Sequence, residues 1–284
     1  MRWTAAALAV LLCAACGGAP SSASPSSAPS SSPTPSPGPA VPTVAGIEAE
    51  AVQLRTDAAV GGQVQVRVTA TGGEPFTVTS VAIDSPGFAP LPDRAVTAAY
   101  APGQTIDLTT PFGEVVCDRA AEPAAARLAV VRPDGRSEVL RVPLDAEDLT
   151  RIHTETCAAQ AVVAVAGVSV TGLAVDGDAV TGSLVLTRAG DDDRAVTPTR
   201  LEGNTLYDAE ADLPRTLAEG EASLEAGVEF SAATCHPHVL AEIKQPYVFV
   251  LRVQVGDGDE VPVDLPLDQG QRDVLAALVD VVCG

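Results

Sequence analysis

An internal repeat constrains this fold more than any other feature. "VAGIEAEAVQL" (44–54) and "VAGVSVTGLAV" (165–175) place Val-Ala-Gly, an aliphatic residue and two later apolar residues at the same offsets. Farther on, "PDGRSEVLRVPLD" (133–145) and "GDGDEVPVDLPLD" (256–268) align without a gap, from Asp-Gly to Pro-Leu-Asp. Each copy ends on a cysteine, Cys157 and Cys283, and carries an earlier one, Cys117 and Cys235. A duplicated unit must bury its own apolar surface, which predicts two units, 44–157 and 158–284, of a size common for single domains.

Within a unit the apolar residues alternate. "VQVRV" sets Val64, Val66 and Val68 against Gln65 and Arg67, and "YVFVLRVQV" sets Tyr247, Phe249, Leu251, Val253 and Val255 in one phase. Period two means strands with one buried face. Asp134-Gly135 and Asp257-Gly258 interrupt such runs as tight hairpin turns do, because glycine tolerates positive φ. Many short strands separated by turn signals predict a mainly β chain of two tandem immunoglobulin-like β-sandwich units. A short helix should close each. Asp145 with Asp148, and Asp268 with Gln271, stand as cap and third helical residue. Leu149 and Ile152 follow the first pair, and Val274, Leu275, Leu278 and Val282 the second, at helical spacing.

The repeat also bears on the cysteines. Four of them allow three connectivities. Because both members of each pair recur, the duplication favours Cys117–Cys157 and Cys235–Cys283, each joining a strand to the end of the closing helix. Closing such loops stabilises by roughly 4 kcal/mol each in the chain-entropy model.

The N-terminal residues set the compartment. Arg2, the apolar run 5–12 and the "LLCAAC" ending read as a signal peptide, 1–15. The small-small-Cys ending resembles a bacterial lipobox, which makes Cys16 the lipidation site, although Cys13 stands where Leu, Val or Ile is usual. The Ser- and Pro-rich segment 16–43 has almost no apolar surface to bury and reads as a disordered tether, extended at roughly 3 Å per residue. These features predict a lipid-anchored protein on the outer face of the bacterial cell membrane, held by its N-terminal lipid.

One short motif points elsewhere. "TCHPH" places His236 and His238, two of the three histidines in the chain, beside Cys235. Imidazoles at i and i+2 suit copper or zinc. If a helix starts at Pro237, Glu242 joins the face of His238. Two or three such ligands are a thin set for a structural site, and a cysteine in a disulfide is lost as a thiolate. A copper- or zinc-binding lipoprotein is therefore the alternative reading.

"TCHPHVLAEIKQPYVF", followed by the "VDLPLD" strand and a final cysteine, resembles a group of uncharacterised actinobacterial secreted or lipid-anchored proteins. In that group a Cys-x-x-His-x-x-x-Glu-x-Lys segment precedes a strand. His238, Glu242 and Lys244 match it, whereas His236 stands where an acidic residue is expected. The resemblance implies tandem cysteine-paired β-domains and no established activity.

Charge and composition narrow the rest. A formal net charge of −20 disfavours nucleic acid and anionic headgroups. The acidic runs 191–193, 208–212 and 257–260 lack the spacing of an EF-hand loop. No nucleophile elbow, zinc-protease helix or phosphate loop is present in the sequence, so a secreted hydrolase is a distant third reading. His153 falls in the first closing helix as an ordinary packed residue. Sugar binding by stacked rings is disfavoured, since Trp3 lies in the signal segment and Tyr247 in a core-facing phase. The expectation is a non-catalytic binding or scaffolding module of the cell envelope that needs no cofactor and docks an envelope protein.

Overall fold

The computed structural model describes residues 40–284. The signal peptide, Cys16 and nearly all of the tether lie outside the described residues. The first strands follow the alternation: β1 (Ile47–Val52), β2 (Gln63–Ala70), β3 (Phe76–Asp84), β4 (Arg94–Tyr100), β5 (Thr105–Pro111), β6 (Ala125–Val131) and β7 (Ser137–Asp145). A short helix, α1 (Arg55–Val60), sits between β1 and β2. The seven strands form one sheet in the order β4, β3, β6, β7, β1, β2, β5. The chain is mainly β, as expected. Instead of two separate sheets, however, this half is joined by a short parallel pairing of β1 with β7, Ala49 opposite Leu144, and rolls into a barrel-like form in which β5 packs against β3 and β4. Period-two patterning fixes which face is buried, and it is silent on whether the seam between two layers is bonded.

Val64, Val66 and Val68 on β2 are fully buried, as the alternation predicts. Gln65 breaks the pattern at 7% exposure because α1 covers the opposite face there. Asp57 of α1 is 2% exposed. Its carboxylate accepts from the Leu54 backbone N–H at 3.1 Å, from Gln63 Nε2 at 2.9 Å and from Gln65 Nε2 at 2.8 Å. Gln65 Oε1 in turn accepts from Thr109 Oγ1 on β5 at 3.0 Å. One buried carboxylate thus satisfies a helix N-terminus and two strand amides, and removing it strands several donors.

The later elements are α2 (Glu147–Val165), β8 (Ala166–Asp176), β9 (Ala179–Arg188), β10 (Val196–Glu202), β11 (Tyr207–Ala211), β12 (Ser223–Ala232), α3 (Pro237–Glu242), β13 (Val250–Val255), β14 (Glu260–Asp264) and α4 (Gln269–Cys283). They make a four-stranded sheet, β11, β12, β9, β8, and a three-stranded one, β10, β13, β14. The pairings mirror the first half: β8–β9–β12 repeats β1–β2–β5, and β10–β13–β14 repeats β3–β6–β7. The odd strand differs, since β4 pairs with β3 whereas β11 pairs with β12 in the other sheet.

The two closing helices differ from each other. For α4 the cap is as read from sequence: Asp268 accepts from the Gln271 N–H at 2.9 Å, and Gln271 returns a bond to the Asp268 N–H at 2.8 Å. Leu275 and Leu278 are fully buried, whereas Val282 is 39% exposed. For α2 the expected cap is displaced. Asp145 is the last residue of β7, the N-cap is Ala146, and the helix runs past Cys157 to Val165. Asp148 turns to the Gln53 backbone N–H at 2.7 Å and to Arg151 at 2.9 Å. Partial burial opposes its charge, but these two donors outweigh it and hold its carboxyl below the usual range.

Two apolar clusters form. The first collects residues from Ile47 to Ile152, and the second residues from Val162 to Leu278. Helix α2 belongs to both, through Leu149 and Ile152 at one end and Val162 and Val165 at the other. At 100° per residue these two pairs point roughly 140° apart around the helix. Replacing Asp57 by Ala is expected to lower the unfolding free energy by about 3 kcal/mol, read as a shifted denaturation midpoint; a change within about 0.5 kcal/mol would mean that water replaces the carboxylate without cost.

Candidate functional site at the two disulfides

The cysteines are paired as the repeat predicts. Cys117 bonds Cys157 with the Cα atoms 5.5 Å apart, and Cys235 bonds Cys283 with the Cα atoms 5.2 Å apart. Cys117 and Cys235 lie in exposed loops, Cys157 lies within α2, and Cys283 is the last residue of α4. Only the second disulfide therefore reaches a helix end, because α2 extends beyond its cysteine.

The loop holding Cys117 is built by close approach. Val115 bridges Phe88, and the Val116 N–H donates to Gly87 O at 2.9 Å. A Cβ on Gly87 would stand 2.7 Å from Ala121 Cα and 2.8 Å from His153 Cδ2, so glycine is required there. This brings His153, on α2, against the loop. Its Nε2 lies 3.2 Å from Val116 O and 3.8 Å from Cys157 Sγ, and its ring meets Phe88 edge-on at 5.9 Å. The sequence reading placed His153 on this helix but passed over its spacing from Cys157. That i, i+4 spacing was the available signal.

Helix α3 begins at Pro237 with His236 as N-cap, the arrangement that would place Glu242 on the face of His238. The geometry is that of a cap. His236 Nδ1 accepts from the His238 N–H at 3.3 Å, and the His236 N–H donates to Thr234 Oγ1 at 3.1 Å. The two imidazole rings stand 6.5 Å apart and perpendicular. The cap uses one ring nitrogen of His236, and the disulfide uses the Cys235 sulfur. Among the described residues, no group of three or more His, Cys, Asp or Glu is placed to hold a metal ion.

Two residues of the acidic run 191–193, Asp192 and Asp193, are engaged by donors of the protein itself. Asp192 is gripped by Arg194 through bonds of 2.6 to 3.0 Å, and Asp193 accepts from the Gly220 N–H at 2.8 Å. The side-chain hydrogen bond from Arg194, aided by that residue's backbone N–H, pulls the Asp192 carboxyl down to about 2. Arg188 pins the same loop, donating through Nη1 to the carbonyls of Asp192 and Arg194 and through Nη2 to Ala218 O at 2.8 Å.

The rings are core residues. Tyr100 and Tyr207 are each 1% exposed, and Phe230 and Phe249 are fully buried. Burial, with Asp107 nearby, pushes the Tyr100 hydroxyl up to about 12. Burial likewise raises Tyr207, whose hydroxyl donates to Leu275 O at 2.9 Å and ties β11 to α4. Tyr247 is half-buried against the second cluster, 6.3 Å from Tyr207. A sugar-stacking platform would need such rings exposed.

Concave surface occurs along α2. An open groove of about 770 Å³ runs between α2 and the edge strand β14, lined by Glu155, Thr156, Ala159, Gln160, Val163, Pro262 and Asp264 among others. Val163 there is 45% exposed.

No protein-family model matches the chain, and no curated protein matches it. Among solved structures it is similar to red sea bream transglutaminase, at 11% identity and a TM-score of 0.24 over 79% of this chain and 32% of that one. It is similar to the YadV chaperone at 11% identity and 0.21, covering 78% of this chain and 98% of that one. A protein of unknown function from Porphyromonas gingivalis gives 16% and 0.19 over 78% and 96%. The chain thus spans about a third of the transglutaminase, and superpositions this poor carry no argument about activity.

With the His236 cap intact, the protein incubated with copper or zinc and desalted should retain no stoichiometric metal by native mass spectrometry. A metal that is retained, and then lost on combined His236→Ala and His238→Ala substitution, would establish the alternative reading.

Proposed function

We propose that the protein is a lipid-anchored, extracytoplasmic binding or scaffolding module of two immunoglobulin-like β units, 44–157 and 158–284, which share helix α2 across their boundary, acting without catalysis on a protein partner of the cell envelope. The observation that carries this reading is the pair of disulfides, each tying a closing helix to the loop that follows a corresponding strand, β5 or β12, of a repeated arrangement. Disulfides form and accumulate in oxidising compartments. They accord with a signal peptide, 1–15, cleaved before Cys16 and a tether that stands the body off the membrane.

Several polar groups support a structural rather than chemical role. Asp57, Asp148, Asp192, Arg188 and the Tyr207 hydroxyl are each engaged by partners that hold loops, helix starts or strands together. A catalytic group is more often perturbed within a cleft that admits substrate. The net charge of −20 turns the module away from nucleic acid and anionic lipid and toward a neutral or basic protein surface.

Lipid anchoring is tested by Cys16→Ala in an actinobacterial host. The wild type should incorporate radiolabelled palmitate and sediment with membranes, while the variant should lose the label and enter the soluble exported fraction. Equal fractionation and labelling of both proteins would remove the anchor from this reading.

A further inference from the structure

The two disulfides are unequal in their surroundings. Cys117 and Cys235 are both exposed, so the difference lies at their partners: Cys157 lies on α2 one turn after His153. The His153 Nε2 contact with Val116 O at 3.2 Å requires a proton on that nitrogen, since a carbonyl only accepts. The same nitrogen is 3.8 Å from Cys157 Sγ, so its one N–H, given to Val116 O while the disulfide is closed, is near enough to turn to that sulfur when it becomes a thiolate, the stronger acceptor. At the other disulfide the buried-side sulfur, Cys283, closes α4 at its C-terminal, negative end and has the Thr234 carbonyl 3.9 Å away. A helix C-terminus disfavours a thiolate; a neighbouring oxygen does not separate the two disulfides, since Cys117 Sγ has Gln160 Oε1 at 3.4 Å.

We propose that Cys117–Cys157 is a thiol-exchange site, in which Cys117 is the sulfur attacked and His153 stabilises the departing Cys157 thiolate. The co-reactant is a thiol. Its thiolate attacks the exposed Cys117 Sγ; a new S–S bond to Cys117 forms as the Cys117–Cys157 bond breaks, and that electron pair passes to Cys157 Sγ, to which the His153 Nε2–H turns from Val116 O. A better-stabilised leaving thiolate departs faster. A second thiolate then attacks the sulfur of the bound thiol, frees Cys117 as a thiolate and leaves as the symmetric disulfide. His153 is a positioning residue in this exchange, and Cys235–Cys283 is a control within the same molecule.

The experiment exposes the oxidised full chain to reduced glutathione, quenches with an alkylating agent at intervals and locates each sulfur by peptide mass spectrometry. Cys117–Cys157 is expected to open first, about tenfold faster than Cys235–Cys283, with glutathione on Cys117 and the alkyl group on Cys157. The factor is that of one hydrogen bond to a charged group. His153→Phe preserves a ring against Phe88 and should slow this opening about tenfold while leaving Cys235–Cys283 unchanged, and His153→Gln, which restores an N–H donor, should recover most of the rate. Equal opening of the two disulfides, glutathione on Cys157, or a His153→Phe rate equal to wild type would each overturn the proposal. Should His153→Phe fail to fold, the wild-type rates and the adduct position decide alone.

Discussion

Helix α2 is the element on which the rest of the protein depends. Its first turns bury Leu149 and Ile152 in one apolar cluster, and its last turns bury Val162 and Val165 in another. From Leu149 to Val162 the axis rises about 20 Å, so a single rigid rod spans both cores. The chain passes from the helix into β8 without a linker, Val165 ending one element and Ala166 beginning the next. A repeat built this way is not two beads on a string, because its first closing helix also serves as packing for the second sheet pair.

The clamps and polar networks follow from that arrangement. A helix that buries different faces at its two ends has a middle with weak apolar anchoring, and it is there that Cys157 ties it to the 112–121 loop. Its N-terminus is held by Asp148 to the Gln53 backbone just after β1, so the first strand and the helix start share a carboxylate. In the second half the corresponding work is done by an orthodox capping box at Asp268 and by Tyr207, whose hydroxyl reaches Leu275 O on α4. Arg188 holds the 191–194 loop from the end of β9 by donating to three backbone carbonyls.

Much of this was legible in the residues. The buried phase of β2 and of Phe249, Leu251 and Val253, both disulfides, the α3 start at Pro237 and the Asp268 cap all follow from spacing and repetition. What escaped did so for physical reasons. The extent of α2 was hidden because its buried residues change face by roughly 140°, leaving no single stripe for a helical pattern to reveal. The Asp145 cap was misplaced because a strand residue and an N-cap share extended backbone, and Asp148 found a tertiary partner instead. The duplicated hairpins are alike in sequence but not in geometry: Gly135 adopts φ of +83°, whereas in the second copy the positive φ of +56° falls on Gly256 rather than Gly258. The parallel β1–β7 pairing and the different sheets chosen by β4 and β11 are long-range outcomes that period-two alternation does not encode. At the candidate site, the His153–Cys157 spacing was readable, while the approach of the Val116 carbonyl depends on Gly87 and a bridge distant in sequence.

The most direct measurement is native-state hydrogen exchange along α2 and the β13–β14 ladder in the wild type and in Leu149→Ala, a change that removes about 2–5 kcal/mol from a buried site. A helix that couples both cores predicts that amides at Val162 and Val165, and those of Leu251 and Val253 beyond them, lose protection together with Ile152. Loss confined to residues before Cys157, with the second cluster unchanged, would contradict a shared helix and return the protein to two independent units.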